Sequence, residues 1–478
     1  MYRYGFIIRK EGGILSNRKW LLGLLVLAVS MQLSGCYPGT GTDNLLIPPK
    51  LTAEQDKIYQ ALEKTAGSNI NLRYPQTGEY RSSFVLRNID DEPGDETIVF
   101  YKTNVNTTNP TSLKVSVLDK DDLGNWYCAY DISGGGSDIH QLEFSSFGAF
   151  DQLFMIVGYN QAVADTGNNN ADSQLAASPR QASNILHIYS YCSGEIKDLF
   201  SQEYSLMKVM DIDNDGYQEI VTIVDSKTGD EPSVNIIEYN AGVFYISQGE
   251  TVAMDDSILS YVNVQSGFIG TNQSALYLDG VREDGTTTTE LLFYQDEILQ
   301  SARLEKGVVD SIDTRKAGNM SMDVDSDDVI EIPELHLMPG YEWPERMDAQ
   351  ESDKLYFTHW KVFSNGVFQL KKISYFNMGF NYLFDIPAFW QDNVTARKMA
   401  EENKIVFYSY DHDLQDVNEE LLSIKVVNEN SKAEAEKEGY QLIRYSGQLY
   451  YYAKLGYPEN PYYQIDLDTV RENFTLLK

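Results

Sequence analysis

The sequence predicts a mainly β chain: a β-propeller of about five, and up to seven, four-stranded blades, with a small α+β domain at its C-terminal end. Three observations carry this expectation. A short acidic loop recurs three times and each time runs straight into an apolar stretch. A second pattern recurs between the copies: an apolar run, an aromatic, a turn and another apolar run. The chain also holds 33 tyrosines, most of them inside these runs, which is what a half-buried β surface selects. A β-sandwich built from the same hairpins is the alternative.

Basic residues (Arg9, Lys10, Arg18, Lys19) precede the apolar stretch from Trp20 to Ser30, and Leu33-Ser34-Gly35-Cys36 follows. A charged segment, a short apolar segment and small residues form the pattern of an export signal over 1–35. The Leu-Ser-Gly-Cys ending resembles the bacterial lipobox, which implies cleavage before Cys36 and lipid on its thiol. An uncleaved N-terminal anchor is the other reading. Either places the body outside the cytoplasm, in the bacterial cell envelope, held to a membrane surface. Residues 36–50, rich in Pro, Gly and Thr, read as a tether.

The segment 51–79 reads as a helix with a lead-in. Thr52 is placed to cap, Gln55 stands three residues on, and Ile58 and Leu62 recur at helical spacing up to Gly67. From residue 80 to 375 short strands dominate. Hairpins are expected at Leu113–Ile132 (turning near Gly124), 186–200, 235–247 (Asn240-Ala-Gly242), 291–299 and 359–373 (Asn365-Gly366), all with turn residues that suit β-hairpins. Beyond 375 the pattern predicts helices at Thr395–Glu402 and Ser431–Glu438. Strands are expected at Lys404–Tyr410 and Leu421–Asn428, and a hairpin over 440–455 turning at Ser446-Gly447. Residues 376–478 form either the α+β domain or closing blades.

The acidic loops are Asn88–Glu96, Asp211–Glu219 and Asp323–Glu331. In each, oxygen-bearing side chains stand at positions 1, 3, 5 and 9, and an apolar residue at position 2. The starts lie 123 and 112 residues apart, room for two units each time. The intervening units, near 144–159 and 262–278, keep the apolar strand without the acids. In the middle loop Asp211, Asp213 and Asp215 can converge on one ion, with the Tyr217 carbonyl as a further ligand and Glu219 closing the shell. Such an all-oxygen set suits Ca²⁺. An EF-hand is excluded: it needs a bidentate Glu at position 12 between helices, and Thr222 stands there in a strand-like run.

D-x-D-x-D-G-x-x-E before an apolar strand, repeated about every 60 residues, resembles the FG-GAP/VCBS repeats of integrin-α-type β-propellers, over roughly residues 80–340. With the leader, it is also similar to bacterial surface lipoproteins carrying such repeats. The resemblance implies structural calcium sites, one to three in number. Asp211, Asp213, Asp215, Tyr217 and Glu219 match fully. Asp323, Asp325, Asp327 and Glu331 match with Asp328 in place of Gly. Asn88, Asp90, Glu92 and Glu96 match least, with Pro93 in the Gly place.

Lys and Arg number 38 against 71 Asp and Glu. Without residues 1–35 the balance is 33 against 70, a surface that repels phosphate backbones and excludes nucleic acid as a partner. Cys128 and Cys192 are expected as two separate buried thiols. The five histidines (His140, His187, His336, His359, His412) stand apart in sequence, and Asp411-His412-Asp413 reads as a solvated loop. No H-E-x-x-H or Gly-x-Ser-x-Gly motif occurs. Two functional readings follow. One is a non-catalytic surface module binding a protein or glycan, partly through Tyr445, Tyr450, Tyr451 and Tyr452. The other is a glycan-processing enzyme on a propeller scaffold, its carboxylate pair distant in sequence.

Overall fold

The computed structural model describes residues 51–477 apart from 91, 104–112, 149–151, 162–183, 193, 226–231, 248–251, 253, 271, 296–297, 303–314, 317, 342–353 and 411–418. Cys36 and the Asp411-His412-Asp413 group lie outside the described residues. The chain divides into two units, 1–59 and 60–478. Helix Ala53–Ala66 opens with the anticipated reciprocal cap. The Thr52 amide donates to Gln55 Oε1 (3.0 Å) and the Gln55 amide to Thr52 Oγ1 (3.2 Å), satisfying two otherwise orphaned donors. It ends at Gly67, whose φ of +84° terminates the helix without a Cβ penalty. Among the described residues no helix is long and apolar enough to cross a membrane.

The remainder is mainly β and forms six antiparallel sheets of four or five strands. The first gathers strands between residues 70 and 133. The second holds Asp138–Ser146, Leu153–Asn160, Asn184–Cys192 and Glu195–Tyr204 in sequence order. The third holds Leu206–Met210, Glu219–Val224, Ser233–Asn240 and Val243–Ile246, also in sequence order. The fourth meanders from Ile258–Ile269 through Gln273–Arg282 and Thr286–Gln295 to Ile298–Ala302, with Arg315–Lys316 added beside Thr286–Gln295. The fifth runs Ile332–Leu337, Tyr356–Ser364, Val367–Asn377, Tyr382–Asp385 and takes Phe474–Leu476 as its last strand. The sixth spans Val394–Met399 to Leu449–Leu455, with Gln441–Ser446 at its edge.

Local chemistry explains the strand order. Asn365 and Gly366 both adopt positive φ (53° and 78°), the conformation a two-residue hairpin loop needs. Strands that read as unbroken apolar runs, such as Glu219–Val224, are buried along most of their length. Outer strands such as Val243–Ile246 are largely exposed.

Each sheet buries itself against the next. One apolar cluster joins the first and second sheets (Ile98, Phe100, Val157, Tyr189), and another joins the second and third (Phe154, Ile188, Ile220, Phe244). Others join the third and fourth (Val221, Ile236, Leu276, Leu278), the fourth and fifth (Tyr277, Leu291, Ile332, Phe363) and the fifth and sixth (Phe384, Trp390, Phe407, Ile424). Face-to-face burial between sheets, rather than within one hairpin, is what removes this apolar area from water.

Three expectations need correction. Thr395–Glu402 is not a helix. Val394–Met399 is a strand with Val394 and Ala396 fully buried, and only Ala400–Glu402 turns as a 3₁₀ segment. Packing on the fifth sheet overrides the helix preference of Ala, Arg, Lys and Met there. Residue 375 is not a structural break, because strand Val367–Asn377 runs through it and Phe474–Leu476 returns to the same sheet. Cys128 and Cys192 are separate thiols as expected, but neither is fully buried. Cys128 is half-buried, and Cys192 is exposed because it ends its strand at a turn.

Candidate metal centres

All three acidic loops run directly into a strand, the first two as turns between paired strands of one sheet and the third as the lead into the first strand of the fifth sheet. Asn88–Asp95 joins Phe84–Arg87 to Glu96–Thr103, and 211–218 joins Leu206–Met210 to Glu219–Val224. The third closes over the Met322–Glu331 bridge into Ile332–Leu337. In each, the buried Glu at position 9 reaches back to the amide of the apolar residue at position 2. Ile89 donates to Glu96 (2.9 Å), Ile212 to Glu219 (3.0 Å) and Val324 to Glu331 (2.9 Å). The position-2 side chains are themselves buried (4%, 1% and 2% exposed), so each loop is plugged into the core beneath it.

The loops at 211 and 323 share more than this. Position 4 is left-handed in both (Asn214 φ 63°, Ser326 φ 64°), as is position 6 (Gly216 φ 93°, Asp328 φ 63°). The position-6 amide donates to the position-1 carboxylate at 3.0 Å in both, and the position-7 amide to the position-5 carboxylate at 2.8 and 3.0 Å. Asp328 therefore takes the conformation expected of the glycine it replaces, which Asp tolerates better than most residues.

At the 211 loop, ligand atoms of Asp211, Asp213 and Glu219 lie within 4.8 Å of one another. Asp215 stands outside this trio and accepts from the Tyr217 amide, while the Tyr217 ring is exposed. Asp211 Oδ1 is buried and has no hydrogen-bond partner. Among the described residues no ammonium or guanidinium pairs with Asp211, Asp213, Asp215 or Glu219. Burial pushes the Glu219 carboxyl up to about 8, the charges of Asp213, Asp215 and Asp211 adding to the shift against the Ile212 amide. Burial also raises Asp213. An orphaned buried oxygen beside two more carboxylates fits a hard cation, which supplies the missing partner and the missing charge. Asp211, Asp213 and Glu219 are the residues that would hold it.

The 323 loop solves the same electrostatic problem from within. Asp323, Asp325 and Glu331 converge similarly, but the Lys371 ammonium lies among the acids. It is 3.0 Å from Asp325, 2.6 Å from Asp327 Oδ2 and 2.6 Å from Glu331 Oε1. Lys361 pairs with Leu370 and Trp360 with Lys372, so Lys371 is the extra residue of a β-bulge, a device that re-aims a side chain. Burial raises Glu331, with Lys371 pulling against it. Burial acts on Asp327 too, but the Lys371 ammonium and the Val329 amide outweigh it and hold that carboxyl below its ordinary range.

At the first loop the Asn88 amide donates to the Glu92 carbonyl (2.9 Å) and the Glu92 amide to Asp90 (2.9 Å). Asn88, Asp90, Glu92 and Glu96 form no convergent trio among the described residues. Burial raises Glu96 to about 6.

The loops also fasten neighbouring sheets. Asn214 Oδ1 accepts from the Ser274 amide (3.1 Å) and hydroxyl (2.9 Å) of the fourth sheet. From the other side, the Phe268 amide donates to the Asp328 carbonyl (2.8 Å). Gly267 permits that approach, since a Cβ there would stand 2.6 Å from Ile330 and 2.8 Å from the Asp328 carbonyl oxygen.

Of the C-terminal tyrosines, Tyr451 and Tyr452 are core residues. Tyr445 is exposed (69%) and stacks on Tyr450. Sequence reading missed Lys371, which lies 40 or more residues from its partners, and a grouping of Glu334, His336 and His359 on the fifth sheet. Only strand register brings either set together.

No family model matches the chain, and no curated protein matches it. Among solved structures it is similar to a periplasmic gluconolactonase of Pseudomonas aeruginosa, at 11% identity and a TM-score of 0.29 over 75% of this chain and 93% of that one. It is also similar to a GH43 β-1,3-galactosidase, at 10% identity and a TM-score of 0.25 over 63% of this chain and 97% of that one. Likenesses of this size assign no activity.

Two outcomes follow from the loop electrostatics. With chelator present, the folded state keeps the Glu219 proton between about pH 4.5 and 8 while the unfolded chain releases it, so stability falls as pH rises across that window. Melting curves should show this fall, and Glu219→Gln should flatten it; an unchanged slope in that variant contradicts the assignment. Lys371→Met, in chelator, leaves the buried Glu331 and its neighbours uncompensated and should cost about 3 kcal/mol in denaturant unfolding.

Proposed function

We propose that the chain is an exported, lipid-anchored β-propeller lipoprotein of the bacterial cell envelope. In this reading the fold is stabilised by calcium at the 211 loop, and the protein serves as a non-catalytic module binding a protein or glycan. The observation that carries the calcium reading is the buried, unpartnered Asp211 Oδ1 beside Asp213 and Glu219, none of which pairs with an ammonium or guanidinium among the described residues. The five apolar clusters, each shared by successive sheets, support reading the sheets as blades. The loop chemistry shared across three turns supports kinship with FG-GAP/VCBS repeats.

The anchor rests on the Leu33–Cys36 motif, and an exported body would meet the calcium concentrations that loops of this kind require. The acidic surface favours neither nucleic acid nor anionic lipid as the ligand. The exposed Tyr445, stacked at 6.3 Å on Tyr450 with Lys432 over the latter ring, offers an aromatic ledge of the kind that peptide or sugar faces contact.

The test is a pair of melting curves on the full-length protein. Calcium at a hundred times its Kd stabilises by about 2.7 kcal/mol, so the transition should rise clearly over that in chelator, and Asp213→Asn should cancel the rise. Identical curves for the wild type with calcium and with chelator overturn the proposal.

A further inference from the structure

The fifth sheet carries a second kind of ligand set, unrelated to the acidic loops. Glu334 and His336 stand two residues apart on Ile332–Leu337, so both side chains emerge on one face. His359, on the adjacent strand, pairs directly with Glu334, while His336 pairs with Phe357. The two histidines are thus diagonal neighbours across the strand pair. Their rings lie 3.7 Å apart and 21° from parallel. His336 Nε2 is 3.1 Å from Glu334 Oε2, and Lys361 Nζ is 2.5 Å from that same oxygen. Ligand atoms of all three residues fall within 4.8 Å of one another. The neighbouring Thr358 and Trp360 point into the interior and are buried, so the strand that presents His359 is fixed from behind.

We propose that Glu334, His336 and His359 form a binding site for one divalent transition-metal ion of the zinc, copper or nickel class. The geometry supports this before any side chain moves. Two ligand atoms 3.1 Å apart, each about 2.1 Å from a metal, subtend roughly 95° there, between octahedral and tetrahedral values. Rotation of the half-buried His359 ring completes a three-residue set, with solvent filling the open positions. Imidazole nitrogen selects transition metals over calcium, so this site and the oxygen loops sort different ions.

The surrounding charges suit the role. The Lys361 ammonium steadies the Glu334 carboxylate, and a carboxylate oxygen can accept from an ammonium while ligating a metal. On binding, the ion would take the place of the direct contact between His336 Nε2 and Glu334 Oε2.

The test is a zinc titration of the full-length protein by calorimetry, with calcium in excess to occupy the oxygen loop. One zinc per chain is expected, undisturbed by Asp213→Asn. A lost ligand should cost at least the roughly 10–100-fold in affinity that a lost outer-shell partner costs, so His336→Ala and His359→Ala should each weaken binding by that factor or more. Absence of zinc binding, or wild-type affinity in both histidine variants, overturns the proposal. Copper(II) bound to the wild type supplies a readout that survives misfolding of either variant. Electron paramagnetic resonance should show coupling to two nitrogens, and an all-oxygen signature overturns the site.

Discussion

The constraint on which the acidic turns depend is a glutamate buried at the foot of a loop, bonded to the amide two residues into that loop. Glu96 and Glu219 each begin a strand and Glu331 immediately precedes one, and each holds an apolar plug (Ile89, Ile212, Val324) in the core. The bond fixes the loop against its own sheet and satisfies a buried amide that would otherwise cost about 1–3 kcal/mol. It also places a carboxylate where charge is expensive, and every other feature of the loops answers that expense.

The answers differ. The first loop has three acids rather than four at positions 1, 3, 5 and 9, with Asn88 in place of one and its side-chain amide turned onto a loop carbonyl. The third recruits Lys371 from a bulged strand and so carries its cation covalently. The middle loop shows neither device among the described residues, and its orphaned Asp211 oxygen and raised Glu219 fit a cation supplied from solution. Asn214 ties that loop to the fourth sheet, and the third loop grips the same sheet from the other side through Asp328. Cation compensation at these turns therefore bears on how successive sheets are held together, as well as on each hairpin alone.

What was legible in the sequence was what lies within a few residues. The capping pair Thr52 and Gln55, the turn at Asn365-Gly366 and the spacing of the acidic loops are all local patterns, and the structure displays each of them. The β character and the strand-turn-strand units followed from the same short-range signals. Non-local facts were hidden. Nothing near Asp323 announces Lys371, because a bulge two strands away decides where that ammonium points. His336 and His359 read as isolated because 23 residues separate them; register alone makes them neighbours. Val394–Met399 misled in the opposite sense, since helix-forming residues there are held extended by packing between the fifth and sixth sheets.

The central claim, that one loop takes its cation from solution while its twin carries its own, is tested most directly by counting calcium at equilibrium dialysis. The wild type should hold one ion per chain at the oxygen loops, Asp213→Asn none, and Lys371→Met two, because freeing Asp323, Asp325 and Glu331 from the ammonium uncovers a second site. A wild type that binds two ions, or a Lys371→Met variant that gains none, would contradict the account.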